Sequence, residues 1–591
     1  MDSKRALKRF KLKRHSKKLK KHAQNIEEAT TRHAHRFLIS RWDKIREVRL
    51  HIIIWMAGVG ALIALVGVQM VWFQQSYITN AAISGGTYAE AVKGPIQTLN
   101  PLFATTSAEV SASHLIFSSL YANDTTGHLK GDLAAKMTNK SDKVFTVSMK
   151  PGVKWSDGKP LTADDVIYTV ELMKNPSTRS VQGVSWQGIG VVALNKYTVQ
   201  FTLPAAYAAF PQALTFAVLP KHVLSKIDVV QMRESKFSTA PVGSGPFIVT
   251  LVQTVSQTTG EKIVQLDTNP YYYGGRPRLD HFQLHAYPDN QSIATALKTG
   301  AVTGAGSVTS DITSGLNEKA YDTVLRPVDD GVYVMFNLSQ PSLKDSVVRR
   351  ALQLATDTNA IRNQVYGHPG ALYLPFIPNQ VMGADKITAP KVDVAAASKL
   401  LDDDGWKMQN GVRVKNGTQL RLRVVIRENP DYEAALQQLA SQWQKVGVQV
   451  DSQIFNTSDP SQNFTTDILQ QRNYDVLIDD LVIGGDPDVF AYWHSQGLLN
   501  FSGYNNKNSD DDLSSARTTS DQTLRSLKYV AFAKQWLADV PAIGLYQPNL
   551  IYVHSKNTQA VQPENTVVSA DDHYANILYW TALQGLVYKT P

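Results

Sequence analysis

The sequence predicts an α/β protein of more than one domain behind a single membrane-spanning helix. Three observations carry this. The chain has 591 residues, too many for one hydrophobic core of ordinary size. Ile52 to Phe73 is an apolar run with Gln69 its one polar residue. At about 1.5 Å per residue it reaches roughly 33 Å, enough to cross a bilayer core. Far downstream, a strand-like stretch (Leu420–Ile426), a helix-like one (Glu433–Val446) and a second strand (Gly447–Val450) follow in β-α-β order. That order points to a parallel or mixed sheet.

Composition narrows the class. Hydrophobic content of 43% and 19% charged residues describe a globular protein. The net charge of +9 is unevenly placed: residues 1–50 hold 17 Lys/Arg against 5 Asp/Glu, and residues 51–591 hold 43 against 46. The body of the chain therefore carries no basic footprint for nucleic acid. With no cysteine, disulfides, thiolate metal sites and a cysteine nucleophile are excluded.

The basic tail, residues 1–51, contains Lys4-Arg5, Lys8-Arg9, Lys13-Arg14 and Lys17-Lys18. Positive charge before an apolar span is a topology signal that keeps the N-terminus inside. Contact with anionic lipid or RNA is the alternative use of such a tail. No charge occurs between Arg49 and Glu90, and Trp55, Trp72 and Tyr77 sit near the ends of the span as interfacial aromatics do. We read residues 52–73 as an uncleaved signal anchor followed by a linker, 74–84. A cleaved signal peptide is the competing reading, with Ala81, Ala82 and Ser84 as small residues near a cleavage site.

The stretch 145–176 fixes local structure most completely. Phe145, Val147 and Met149 alternate with polar residues, as in a half-buried strand. Lys150-Pro151-Gly152 is a turn, Val153–Trp155 a short second strand, and Ser156–Lys159 a second turn in which Asp-Gly supplies the positive φ. Thr162 and Asp165 form a capping box, Leu161 and Val166 a hydrophobic staple. Val166, Val170 and Met173 make the apolar face of the helix, which Asn175-Pro176 ends. Further elements read as a strand at 85–92, helices at Ser113–Tyr121 (Leu115, Ile116, Leu120 and Tyr121 inward) and Ser342–Asp357 (Val347, Ala351, Leu354 and Ala355 inward), and a helix over Arg517–Asp539. Catalytic motifs are lacking: there is no H-E-x-x-H, G-x-S-x-G or Walker A pattern. The S-x-x-K match at Ser156–Lys159 falls in a turn, where Lys does not face Ser.

The run from Lys150 to Val166, K-P-G-V-K-W-S-D-G-K-P-L-T-A-D-D-V, resembles the signature of the extracytoplasmic solute-binding proteins of dipeptide and oligopeptide ABC importers. Pro241–Phe247, Asn269–Pro277, Ala395–Trp406 and Gly484–Asp488 resemble further motifs of that family, and the likeness runs from about residue 85 to 580. It implies a two-lobed periplasmic-binding-protein-like fold of type II with an inserted subdomain. Lobe 1 would cover 85–330, with the insertion at about 123–235, lobe 2 331–548, and residues 549–591 would return to lobe 1. Hinges would lie near 329–332 and 546–550, with Pro541–Tyr546 as the returning strand. The lipidated cysteine that tethers many such proteins is missing, and the anchor would replace it.

The resemblance also implies a function: capture of a peptide or peptide-like solute between the lobes, and delivery to ABC permease subunits whose ATPase is a separate chain. A monomer without cofactor or metal is expected. The ligand-facing residues it implies are Asn100, Trp186, Tyr333, Asn337, Asp486, Phe490 and Trp493. One position departs from the family. Peptide binders hold an Asp three residues before the Asp-Pro pair, where it anchors the peptide's ammonium; here that residue is Ile483. Either Asp479, Asp480 or Asp486 takes the role, or the ligand has no free amino terminus. A nickel chelate or sugar binder, and a non-transport sensor or envelope scaffold, are the other readings.

Overall fold

The computed structural model describes residues 42–456, 463–561 and 567–588. Most of the basic tail lies outside the described residues. The chain divides into two compact units: one of residues 1–81 and 585–591, the other of residues 82–584.

In the first unit a helix spans Trp42–Tyr77. Its segment Arg49–Phe73 is long and apolar enough to cross a membrane, and none of it is buried. Ile78–Ile83, expected as part of a linker, is instead a strand paired with Leu583–Tyr588.

The second unit holds two large mixed sheets and three smaller ones. A seven-stranded sheet runs in the order Tyr321–Pro327, Asn549–Ser555, Gly304–Ala305, Thr87–Lys93, His281–Tyr287, Lys262–Thr268 and Phe247–Thr254. Thr87–Lys93 pairs in parallel with both of its neighbours. A six-stranded sheet runs Gly370–Ala371, Ala542–Gln547, Asp330–Phe336, Val476–Val482, Arg421–Arg427 and Gln449–Phe455. In it Arg421–Arg427 and Gln449–Phe455 are parallel partners, joined by the helix Pro430–Gln444. This is the β-α-β unit that the sequence predicts. Separate clusters of buried residues contain the alternate residues of Asp330–Phe336, one with Val332, Val334 and Phe336, the other with Tyr333 and Met335. The strand is thus covered on both faces and reads as a continuous apolar run.

Between these sheets the chain crosses twice, at Val328-Asp329 and at Pro548. Ala542–Gln547, expected to return the chain to lobe 1, still belongs to the lobe 2 sheet; Asn549–Ser555 makes the return.

A four-stranded antiparallel sheet (Ala134–Lys140, Val144–Met149, Thr198–Thr202, Gly190–Asn195) forms the inserted subdomain. Phe145, Val147 and Met149 point inward, each burial stabilising by about 2 kcal/mol. Asp165 accepts from the Thr162 N–H at 2.8 Å and from the Lys221 N–H at 2.9 Å, so the cap also ties down the chain near 221. Val153–Trp155 is no strand: Lys154 makes one bridge to Pro160 and the chain turns at Gly158, φ +83°.

Three helices differ from expectation. The first spans Ser107–Ile116, started by a capping box of Thr106 and Glu109, and Tyr121 falls in a strand. The helix expected over Ser342–Asp357 breaks at Asp345, whose side chain caps Ser346–Ala355. Its inward face is Val348, Ala351, Leu352 and Ala355, because buried Arg349 donates to the carbonyls of Asp539, Val540, Leu343 and Lys344 and fixes the rotation. The expected helix Arg517–Asp539 is the end of Lys507–Arg517 and a second helix, Gln522–Asp539, capped by Asp521.

Candidate functional site

The strand Val476–Val482 ends in the loop Ile483–Asp488, which faces lobe 1 across a cavity of about 330 Å³. Lobe 1 contributes His114, Tyr121, Asn123 and Asp572, and the inserted subdomain Tyr207 and Gln212. The loop is held by its backbone: the Gly484 N–H donates to the Asp329 carbonyl at 2.7 Å, and Gln380 Nε2 to the Gly484 carbonyl at 2.6 Å. A second cavity, of about 740 Å³, shares Tyr207, Ala209 and Gln212 with the first. Its walls are mainly apolar, from Trp186, Pro204, Phe210 and Phe490, with Arg517 as its cation.

The acids near Ile483 are already engaged. Asp486 takes a bidentate pair from Arg525, at 2.7 and 2.6 Å. Asp479 and Asp480 share Arg427, and Asp480 also accepts from the Tyr432 hydroxyl. Burial raises the Asp488 carboxyl above its ordinary range, while Arg517 opposes that rise. Asp572 accepts from Asn123 Nδ2 at 2.9 Å and from the Ser569 N–H at 2.8 Å. In this structure none of the three acids weighed as substitutes stands free to replace a carboxylate at Ile483, which itself borders the cavity.

The structure separates the seven residues expected to face a ligand. Asp486 lines the first cavity; Trp186 and Phe490 line the second. Trp186 is nonetheless mostly core, edge-on to Phe216 at 5.1 Å. Tyr333 and Trp493 are fully buried against each other and Trp536, and the Tyr333 hydroxyl donates to the Leu374 carbonyl. Asn337 donates to the carbonyls of Arg472 and Tyr474 and organises the lobe 2 interior. Asn100 caps a short 3₁₀ turn, with its Oδ1 accepting from Leu102 and its Nδ2 buried without a partner. Asn100, Tyr333, Asn337 and Trp493 therefore do not line these cavities. Residues that sequence reasoning missed are Asn123, Asp572 and Arg517. The one signal for them was the capping box of Ser569 and Asp572, which marks a turn rather than a site.

Comparison with known proteins gives a consistent picture. The family described as bacterial extracellular solute-binding proteins, family 5, matches residues 128–503. The oligopeptide-binding protein AppA of Bacillus subtilis is 26% identical over 484 residues, 79% of this chain and 87% of that protein. Protein XP55 of Streptomyces lividans is 29% identical over 500 residues, 80% of this chain and 87% of its own. Among solved structures, Bacillus subtilis AppA in complex with a nonapeptide superposes with a TM-score of 0.68 at 24% identity, covering 85% of this chain and 99% of that one. NikZ from Campylobacter jejuni in complex with Ni(L-His) gives 0.70 at 25%, covering 84% and 99%.

Proposed function

This chain belongs to the bacterial extracellular solute-binding proteins of family 5, and on that premise we propose that it is the membrane-anchored receptor of an ABC importer for peptides or peptide-like solutes. The observation that carries the reading is the pair of strand crossings at Val328-Asp329 and Pro548, together with cavities walled by both lobes. Two crossings let the lobes close as rigid bodies on a solute, and the closed form then docks on the permease. The ATPase is a separate chain. The helix through Phe73 is the anchor, with the basic tail on the cytoplasmic side and the lobes outside; the receptor works as a monomer. The domain limits follow the crossings: lobe 1 to about residue 329 and from 549 onward, lobe 2 between them.

Native mass spectrometry of the full chain, released from detergent micelles, tests the reading. Adducts that fragment as short peptides are the expected result. A single non-peptide adduct moves the assignment to a specialised solute, the reading that Ile483 and the likeness to a nickel-chelate binder favour. No adduct, and no thermal shift with peptide pools, leaves a sensor or scaffold; solute at about 100 times its Kd would stabilise by roughly 2.7 kcal/mol.

A further inference from the structure

The two cavities described above differ in chemistry. The smaller, of about 330 Å³, is bordered by His114, Asp486, Asp488 and Asp572. The larger, of about 740 Å³, has no Asp, Glu, Lys or His on its wall, and Arg517 is its one charged lining residue. That charge is already met, because Arg517 Nε lies 3.0 Å from Asp488. The same guanidinium lies against the rings of Tyr207 and Phe490. An ionic group entering the larger cavity would lose hydration and find no free counter-charge on its wall.

The apolar surface there is open to solvent. Pro204, Ala205 and Ala213 are exposed and Ala206 and Phe490 half-buried, beside the buried Phe210. Small-molecule pockets span about 300–1,000 Å³ and are mostly apolar, with a few polar groups that orient the ligand. This cavity has that size and make-up, and Gln187, Gln212 and Ser514 are its orienting groups. Pro204 and Ala213 belong to the inserted subdomain, Phe490 and Ser514 to lobe 2. An occupant therefore touches both and stabilises their closed arrangement. Tyr207, Ala209 and Gln212 border both cavities, so the larger continues from the smaller.

We propose that the larger cavity receives a bulky uncharged apolar side chain of the bound solute, while a polar part of the same solute lies in the smaller one. The proposal rests on the reading of the cleft as a solute site. It adds that the preferred solutes carry a large apolar group, and that the inserted subdomain takes part in selecting them.

Isothermal titration of the full chain in lipid nanodiscs tests it, with empty nanodiscs as the blank, because a detergent tail competes for an apolar pocket. The probes are pentaalanine, its five single-tryptophan variants and N-acetyltryptophanamide. At least one tryptophan variant is expected to bind about tenfold tighter than pentaalanine or better, the scale of burying one large apolar side chain. Ala213→Phe and, separately, Ala206→Phe put a ring into the cavity and should bring that ratio close to one. Ala213 is exposed, so its substitution spares the core, and melting temperatures confirm folding. Equal affinity for all six peptides overturns the proposal and leaves the peptide reading intact. A tryptophan preference that survives in both folded variants also overturns it, because the preference then arises elsewhere. If no peptide binds but N-acetyltryptophanamide does, and Ala213→Phe abolishes that, the peptide reading falls and the apolar site stands. Failure of all the probes rejects the site.

Discussion

Arg517 of the second lobe lies 4.7 Å from the ring centre of Tyr207 in the inserted subdomain. It is also 4.3 Å from the ring centre of Phe490, and its Nε is 3.0 Å from Asp488. The Ala208 N–H donates to the Arg517 carbonyl at 2.7 Å, and the Ser520 N–H to Asp142 at 2.8 Å. The lobes thus hold each other directly. A cation–π contact is worth about 0.5–2 kcal/mol. Arg517→Ala should therefore expand the chain in small-angle X-ray scattering and weaken solute binding by up to about tenfold. Unchanged scattering and affinity would show that the contact does not hold the lobes closed.

Asp486 is committed to Arg525, and both side chains are largely buried. Arg525→Met leaves a carboxylate without its partner and should cost about 2–3 kcal/mol in urea unfolding. Asp486→Asn should cost a similar amount, and the double variant less than the sum. Additive costs would free Asp486 for a ligand.

Asp330 predicts a pH dependence. Its folded pKa of about 7 stands above an unfolded value of about 3.9. The folded state therefore holds this proton more tightly. Its contribution to stability is fully present below about pH 4 and is lost as pH rises through about 7. The groups facing it are Asp480, Asp329 and Tyr492, with Arg427 paired to Asp480. Denaturant unfolding between pH 4 and 8 should show this slope in the native chain and a flatter one in Asp330→Asn.

His573 Nε2 lies 2.9 Å from Glu90 in the lobe 1 interior. Burial acts to lower the imidazole pKa, but the charge and hydrogen bond of Glu90, the Ala570 carbonyl and the charge of Asp571 together outweigh it, and the net shift is upward. Stability from this pair is present below the ordinary histidine value of about 6.5 and is lost as pH rises through the higher folded value. Near pH 5.5, His573→Gln should cost about 3 kcal/mol, and the gap to the native chain should narrow toward pH 9. A constant gap would assign the loss to packing.

Gly243 and Gly245 let the chain pass against Ile116: a Cβ on either would collide with backbone there. Gly243→Ala should destabilise by about 3 kcal/mol, read as a lower urea midpoint at constant slope.

What was legible in the sequence was local or periodic. The capped helix after Thr162, the alternation of Phe145, Val147 and Met149, and the glycine-bounded β-α-β unit all depend on neighbours within a few residues. The chemistry of caps and pleats is written there. Errors arose where a distant partner decided. Rotation of the helix Ser346–Ala355 was set by Arg349 reaching carbonyls near 540, and a continuous apolar pattern could not reveal the break between Arg517 and Asp521.

The candidate site shows the same division. By itself the sequence determined the class of the chain, the apolar span and the absence of an acid at Ile483, because these are properties of single positions or short runs. Only the tertiary structure decided that Tyr333, Asn337 and Trp493 belong to the core, that Asp479, Asp480 and Asp486 are consumed by Arg427 and Arg525, and that Asp330 and Tyr546 are left with unpaired atoms. Whether a buried polar group is satisfied depends on which distant segments the fold brings within about 3 Å of it, and no local pattern encodes that distance.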